Sequence, residues 1–86
     1  MKDIRWSQLK SERLKKTRGV SFEEIISSEL VAVKKHPKRT DQSIMLFKLK
    51  GYVWVVPYVE EKEYIFLKTL YPSRKITKLY IKGELK

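Results

Sequence analysis

The chain has 86 residues, 42% of them hydrophobic, no cysteine, and a net charge of +10 from 20 Lys and Arg against 10 Asp and Glu. A chain this short forms a single domain, expected over residues 1–86, and buries about 60–70% of the surface that its unfolded form exposes. Without Cys it has neither a disulfide framework nor a thiolate zinc site, which fits a reducing, cytoplasmic setting. The opening MKDIRWSQLK has no apolar signal core. No stretch approaches the roughly 18 apolar residues that a spanning helix needs. Such a cationic surplus repels itself and is tolerated where a polyanion or an acidic protein supplies the counter-charge. Plain solubility is the bland alternative. Binding to a membrane surface would need a basic amphipathic helix with a broad apolar face, and none of the helices below has one.

In chain order, the spacing predicts a first helix from Ser7 to Lys16 or Thr17, with Trp6, Leu9 and Leu14 as a narrow apolar stripe and Gly19 as its left-handed stop. A second helix follows. Ser21 and Glu24 form a capping box, Val20 and Ile25 stand at staple spacing, and Phe22, Ile25, Ile26 and Leu30 make its inner face. From Leu30 the period changes to alternating or continuous apolar residues, which predicts four strands: Leu30 to Lys34, Ser43 to Lys50, Tyr52 to Tyr58 and Tyr64 to Tyr71. Gly51 marks a tight turn, and Glu60-Glu61-Lys62-Glu63 reads as a solvated one. Pro57 cannot donate to a ladder, so the third strand is at an edge there or bulged. A third helix starts with Ser73 as N-cap, turns Ile76, Leu79 and Tyr80 inward, and ends at Gly83. The expected fold class is α+β: two N-terminal helices, a four-stranded antiparallel meander sheet and a short C-terminal helix.

The usual enzyme signatures are absent. There is no Gly-rich phosphate loop, no metal-ligand cluster and no nucleophile triad, since His36 is the only histidine. No metal or cofactor is expected. Three basic clusters remain: Lys10, Arg13, Lys15, Lys16 and Arg18 along the first helix; Lys34, Lys35, Lys38 and Arg39 around a loop; and Arg74, Lys75, Lys78 and Lys82 on the last helix. Each alone reads as a solvated face, but three in one small domain suit a polyphosphate partner. Arg74 falls at a helix start, where backbone N–H groups and the dipole already favour an anion, and its fork holds two phosphate oxygens. Trp54 reads as core rather than as a base-stacking platform. His36, beside Pro37, is either a general acid or base or an idle loop residue.

The stretch from Trp6 through Leu14-Lys15-Lys16-Thr17-Arg18-Gly19-Val20-Ser21-Phe22-Glu23-Glu24 resembles the opening of BrnT-type toxins. Val55-Val56-Pro57-Tyr58-Val59-Glu60 and Ser73-Arg74-Lys75 resemble later segments of the same family. The resemblance implies a toxin of the RelE/ParE superfamily, a metal-independent endoribonuclease of a type II toxin–antitoxin system. Its implied partners are RNA and a cognate antitoxin, DNA-binding and of ribbon-helix-helix type, with a homodimer as one arrangement within the antitoxin complex. By position, Lys15, Lys16, Tyr58 and Arg74 fall on the family's catalytic positions, and Lys10, Arg13, Arg18, Lys75 and Lys78 would bind nucleic acid. The family His before Gly is Arg18 here, and the acidic residue of its final helix is absent near Leu79 and Tyr80. That leaves the general acid and base open. The implied chemistry is attack of a ribose 2′-OH on the adjacent phosphate. Arg74 would stabilise the phosphoryl oxygens, at roughly 3–4 kcal/mol for a well-placed donor, and Lys15 or Lys16 would transfer a proton if neighbouring cations depress its pKa. A hairpin turning at 60–63 would set Tyr58 roughly 30 Å from Arg74, at about 3.3 Å per residue; they would not share one site, and Tyr52 and Tyr71 are better neighbours for Arg74. Two other readings stay open: a basic domain that coats RNA or DNA without cutting it, and a toxin of this fold acting on a protein.

Overall fold

The computed structural model describes residues 2–84. Its elements run β1 (Asp3–Arg5), α1 (Gln8–Arg18), α2 (Phe22–Ile26), β2 (Glu29–Lys35), β3 (Ser43–Leu49), β4 (Tyr52–Glu60), β5 (Tyr64–Leu67), β6 (Tyr71–Ser73) and α3 (Arg74–Ile81). The class is α+β, and β2 to β5 form the expected antiparallel meander. Two features correct the expectation. The sheet has six strands rather than four, and it is mixed, because β1 enters parallel to β5 at the edge in the order β1-β5-β4-β3-β2. Three-residue β1 is pinned by side chains: the Lys2 ammonium reaches Glu60 at 2.7 Å, and the Arg5 guanidinium lies 4.4 Å over the Tyr64 ring. The acidic turn is therefore partly tied down rather than simply solvated.

The predicted fourth strand is broken in two by Pro57. Tyr58 pairs with Leu67 and Val55 with Tyr71, so Lys68, Thr69 and Leu70 stand opposite only Val56 and Pro57. The Lys68 N–H donates to the Pro57 carbonyl at 2.8 Å. In a strand a residue's N–H and C=O point to the same side, so the N–H that Pro57 lacks is missing on this side. The extra residue bulges out where the ladder cannot be made. β6 then resumes pairing with the first half of β4, and Ser73 caps α3 by accepting from the Ile76 N–H.

Helices cover both sheet faces. Met45, Phe47, Trp54, Val56 and Tyr58 pack under α1 and α2 with Leu14, Val20, Phe22 and Ile25. On the other face Ile44, Leu46, Val53 and Val55 meet Ile76 and Tyr80 of α3. Trp54 is core, as expected, and its indole N–H donates to the Leu49 carbonyl. Two expected inner positions turn outward: Leu9 is 77% exposed and Leu30 is 52% exposed. Ser11 takes the place of Leu9 at the helix interface, fully buried, where its small side chain lets the start of α2 approach. Leu30 lies in β2, on the sheet edge, just before a register shift between Leu30 and Ala32.

Two local devices fix the connections. In the β3–β4 turn Lys50 and Gly51 both have positive φ, 54° and 80°, the requirement of a type I′ hairpin. At α3, the buried Thr77 hydroxyl accepts the Val53 N–H at 2.8 Å and donates to the Ser73 carbonyl at 2.6 Å, which extends the β4 ladder past the end of β6. Replacing Lys50 by Asn, which tolerates the left-handed region, is expected to stabilise the protein by roughly 1 kcal/mol. Thr77→Val orphans the Val53 N–H and is expected to cost about 1–3 kcal/mol. Urea unfolding of both variants checks these values, and an unchanged midpoint for Thr77→Val would remove the docking role.

Candidate functional site

The structure gathers cations at two places. One is the end of the sheet that carries the β3–β4 turn. There α1 finishes with Lys15, Lys16 and Arg18 before Gly19, whose φ is 81°. The Gly19 carbonyl accepts from both the Lys15 and Lys50 ammonium groups at 3.4 Å. Lys15 also pairs with Glu24 at 2.7 Å. At this same end β6 runs into α3, so that exposed Arg74 follows Ser73, the partner of Val53. Tyr52, 43% exposed, precedes Val53 and so stands opposite Arg74 when the register is carried on by one residue. Lys75, Lys78 and Lys82 extend the charge along α3, and the Lys48 ammonium lies 5.5 Å over the Tyr80 ring.

The second place is an open cavity of about 510 Å³ beside the bulge. Three cations reach it from three elements: Lys10 from α1, Arg39 from the β2–β3 loop, and Lys68 from the bulge. None of the three forms an ion pair among the described residues. Asp41 is the one carboxylate on the wall, and Gln42 and Thr69 add neutral polar groups. Pro57 and Tyr71 supply the apolar surface; Pro57 shares a strand face with Val53 and Val55, the face that α3 covers farther along. His36 lines the cavity as well, and its Nδ1 accepts the N–H groups of Lys38 and Arg39 at 3.1 Å each. An accepting Nδ1 places the proton of the neutral ring on Nε2, so His36 is a loop organiser that offers a donor.

Of the site residues expected from sequence, Lys15, Lys16, Arg18, Arg74 and Lys75 fall at the turn end and Lys10 lines the cavity. Arg13 is exposed on α1, and Lys78 is exposed on α3. Tyr58 is 8% exposed and packs in the core under α1 and α2. It pairs with Leu67, in the middle of the segment read as one strand, and lies five β4 residues from the partner of Ser73. Arg74, opposite Tyr52, is one residue farther along, so the separation is about 20 Å at about 3.3 Å per residue, not 30 Å. Asp41, Gln42, Lys68 and Thr69 were not expected in a site. The signal for two of them was present, since Lys68-Thr69 is the one polar pair inside the apolar run from Tyr64 to Tyr71.

No group of His, Cys, Asp or Glu among the described residues is arranged to hold a metal ion. Nor is any helix of the described residues long and apolar enough to cross a membrane.

The fold has a solved counterpart. It is similar to the Brucella abortus ribonuclease toxin BrnT, with a TM-score of 0.56 over 85% of this chain and 97% of that one, at 14% sequence identity. The chain has the BrnT fold. The sequence matches no family model and no curated protein.

Within this BrnT fold, the segment Ser21-Phe22-Glu23-Glu24 proves to be a clamp between helices. The capping box of α2 is complete. The Ser11 hydroxyl donates to Glu23 and accepts the Phe22 N–H at 3.0 Å, and the Gln8 amide donates to Glu23 at 3.1 Å. The Ser11 hydroxyl, then the backbone N–H of Glu23 itself and the Gln8 amide, hold the Glu23 carboxyl below the ordinary value of 4.5. The Lys15 hydrogen bond, then the Ser21 N–H, does the same for Glu24. A carboxylate whose folded pKa lies below its unfolded one adds stability above the unfolded value and loses it as pH falls through the folded one. The melting temperature is therefore expected to drop on acidification below about pH 4.5, the ordinary value of both groups. Glu23→Gln should lower it at pH 7 and flatten part of that acid limb. A variant with the full acid dependence of the parent would remove Glu23 from the clamp.

Proposed function

We propose that this chain is the single-domain toxin of a type II toxin–antitoxin pair, cytoplasmic, and a metal-independent endoribonuclease that cleaves by 2′-OH attack on the adjacent phosphate. The supporting observation is the turn end of the sheet, where exposed Arg74 opens an eight-residue helix opposite Tyr52 and where Lys15 and Lys50 meet on the Gly19 carbonyl, in a fold shared with a ribonuclease toxin. Ser73 caps only the Ile76 N–H, and helix geometry leaves the first N–H groups without intrahelical acceptors. They and the guanidinium favour an anion at the same spot.

In this reading a ribose 2′-oxygen bonds to phosphorus as the bond to the 5′-oxygen breaks, leaving a 2′,3′-cyclic phosphate and a 5′-hydroxyl. Arg74 stabilises the charge that gathers on the phosphoryl oxygens. Lys15 or Lys16 handles the proton, with about 10²–10⁴-fold of rate attached to that step. Tyr58, in the core, contributes packing. Lys10, Arg13, Arg18, Lys75 and Lys78 guide the RNA backbone by charge. The inactivating partner is an antitoxin of ribbon-helix-helix type, whose toxin-binding segment would be acidic to match this surface, and a homodimer of the toxin is one form of that complex.

Purified protein is expected to cut labelled RNA, free or ribosome-bound, in the presence of EDTA and to leave 2′,3′-cyclic phosphate ends. Arg74→Ala is expected to lower the rate by about 10²–10³-fold. Undiminished cleavage by the variant would take Arg74 out of the site. Salt-dependent binding with no cleavage of either RNA would replace the enzyme by a coating domain.

A further inference from the structure

We infer that the cavity beside the bulge is a nucleotide subsite, taking one unstacked, phosphate-bearing nucleotide of a single RNA strand next to the cleaved bond. The inference rests on the ribonuclease reading for the identity of the strand. The site itself rests on four observations. Lys10, Arg39 and Lys68 converge on one open volume from three separate elements, against the single carboxylate of Asp41. None of these cations has an ion-pair partner among the described residues, so the wall carries a surplus of positive charge that an anion from outside would balance.

Size is the second observation. The cavity, about 510 Å³, lies in the range of about 300–1,000 Å³ that holds one small ligand. A base enters it only when splayed out of a stack, as in single-stranded RNA. Third, the wall combines chemistry for both halves of a nucleotide. The cations suit the phosphate, while half-buried Tyr71 offers an aromatic surface to a base. The Nε2–H of His36, fixed by the two N–H groups on Nδ1, is a donor suited to a base carbonyl or a phosphate oxygen.

Position is the fourth. Tyr71 opens β6 and Arg74 follows its end, three residues later, so they are about 10 Å apart at about 3.3 Å per residue. A strand whose scissile phosphate lies on Arg74 therefore reaches the cavity with a neighbouring nucleotide. That places base selection in the cavity and bond breaking at the turn end.

The test titrates the full chain calorimetrically with each of the four nucleoside 5′-monophosphates and with inorganic phosphate. The parent, Lys68→Ala, Arg39→Ala and, as a control for charge alone, Lys62→Ala are compared. Nucleotides are expected to bind more tightly than phosphate. Lys68→Ala and Arg39→Ala should each weaken them about tenfold, the scale of one charge-assisted hydrogen bond, with Lys62→Ala near the parent. In RNA cleavage, Lys68→Ala should raise KM and spare kcat, as for lost uniform binding. Equal affinity for phosphate and nucleotides would reduce the cavity to a general anion site and overturn the inference. So would equal losses in all three variants. Either result together with RNA cleavage leaves the ribonuclease reading standing. Nucleotide binding through Lys68 and Arg39 without cleavage of any RNA keeps the subsite and overturns that reading.

Discussion

The missing N–H of Pro57 governs the layout of this molecule. A proline in a central strand must leave one ladder position unmade, and here the loss falls toward β5 and β6 rather than toward β3, where Ile44 still pairs with it. The paired strand responds with one extra residue. That residue ends β5, offsets β6 and sends α3 across the face opposite α1 and α2. Had the ladder been continuous, Lys68 and Thr69 would stand in regular alternation on a strand. The bulge instead turns them into the wall of a cavity that Pro57 and Tyr71 line. Bulges commonly lie beside functional sites because they re-aim side chains, and this one sets Lys68 in the wall that Lys10 and Arg39 also line.

The second constraint is the close approach of α1 and α2. Ser11 is buried at their contact, where a larger residue would hold the helices apart, and its hydroxyl is committed to both the Phe22 N–H and Glu23. Glu24 closes the capping box and also takes Lys15. Each conspicuous residue of the string from Ser21 to Glu24 thus has a mechanical duty. The string therefore has a complete structural account that calls on no chemistry.

What was legible in the sequence follows from the range of each interaction. The box at Ser21, the turn at Gly51, the cap at Ser73 and the stop at Gly83 each depend on residues within five positions, and each is present; Gly83 closes α3 with its N–H on the Tyr80 carbonyl and that of Glu84 on Leu79. Strand β1 was not legible, because Asp3–Arg5 carries two charges in three residues and its partner begins at Tyr64, across nearly the whole chain. Ser11 was missed for a different reason. Apolar spacing favours Leu9, and only the hydrogen-bonding needs of the α2 start make a hydroxyl the better buried group. Pro57 announced an edge or a bulge, yet the bulge forms on the partner strand. The cavity combines α1, the β2–β3 loop, β4 and the bulge, so no local pattern could assemble it.

Charge is divided by task across these elements. The acidic residues that form ion pairs serve the fold: Glu60 holds the strand before α1, Glu24 holds the end of α1 to the start of α2, and Asp3 meets Arg5 within β1. Such exposed pairs are individually weak, with a median near 0–1 kcal/mol, but they use carboxylates that would otherwise neutralise the surface. Lys10, Arg39, Lys68 and Arg74 have no carboxylate within ion-pair distance among the described residues. Because folding gains nothing from gathering like charges, their convergence on a cavity and on a helix start is hard to explain by stability. It is the arrangement expected if the compensating charge arrives with a ligand, and it costs least when that ligand is a polyanion whose own counterions are released as it binds. The bulge and the caps place the cations; the absence of internal partners leaves them available.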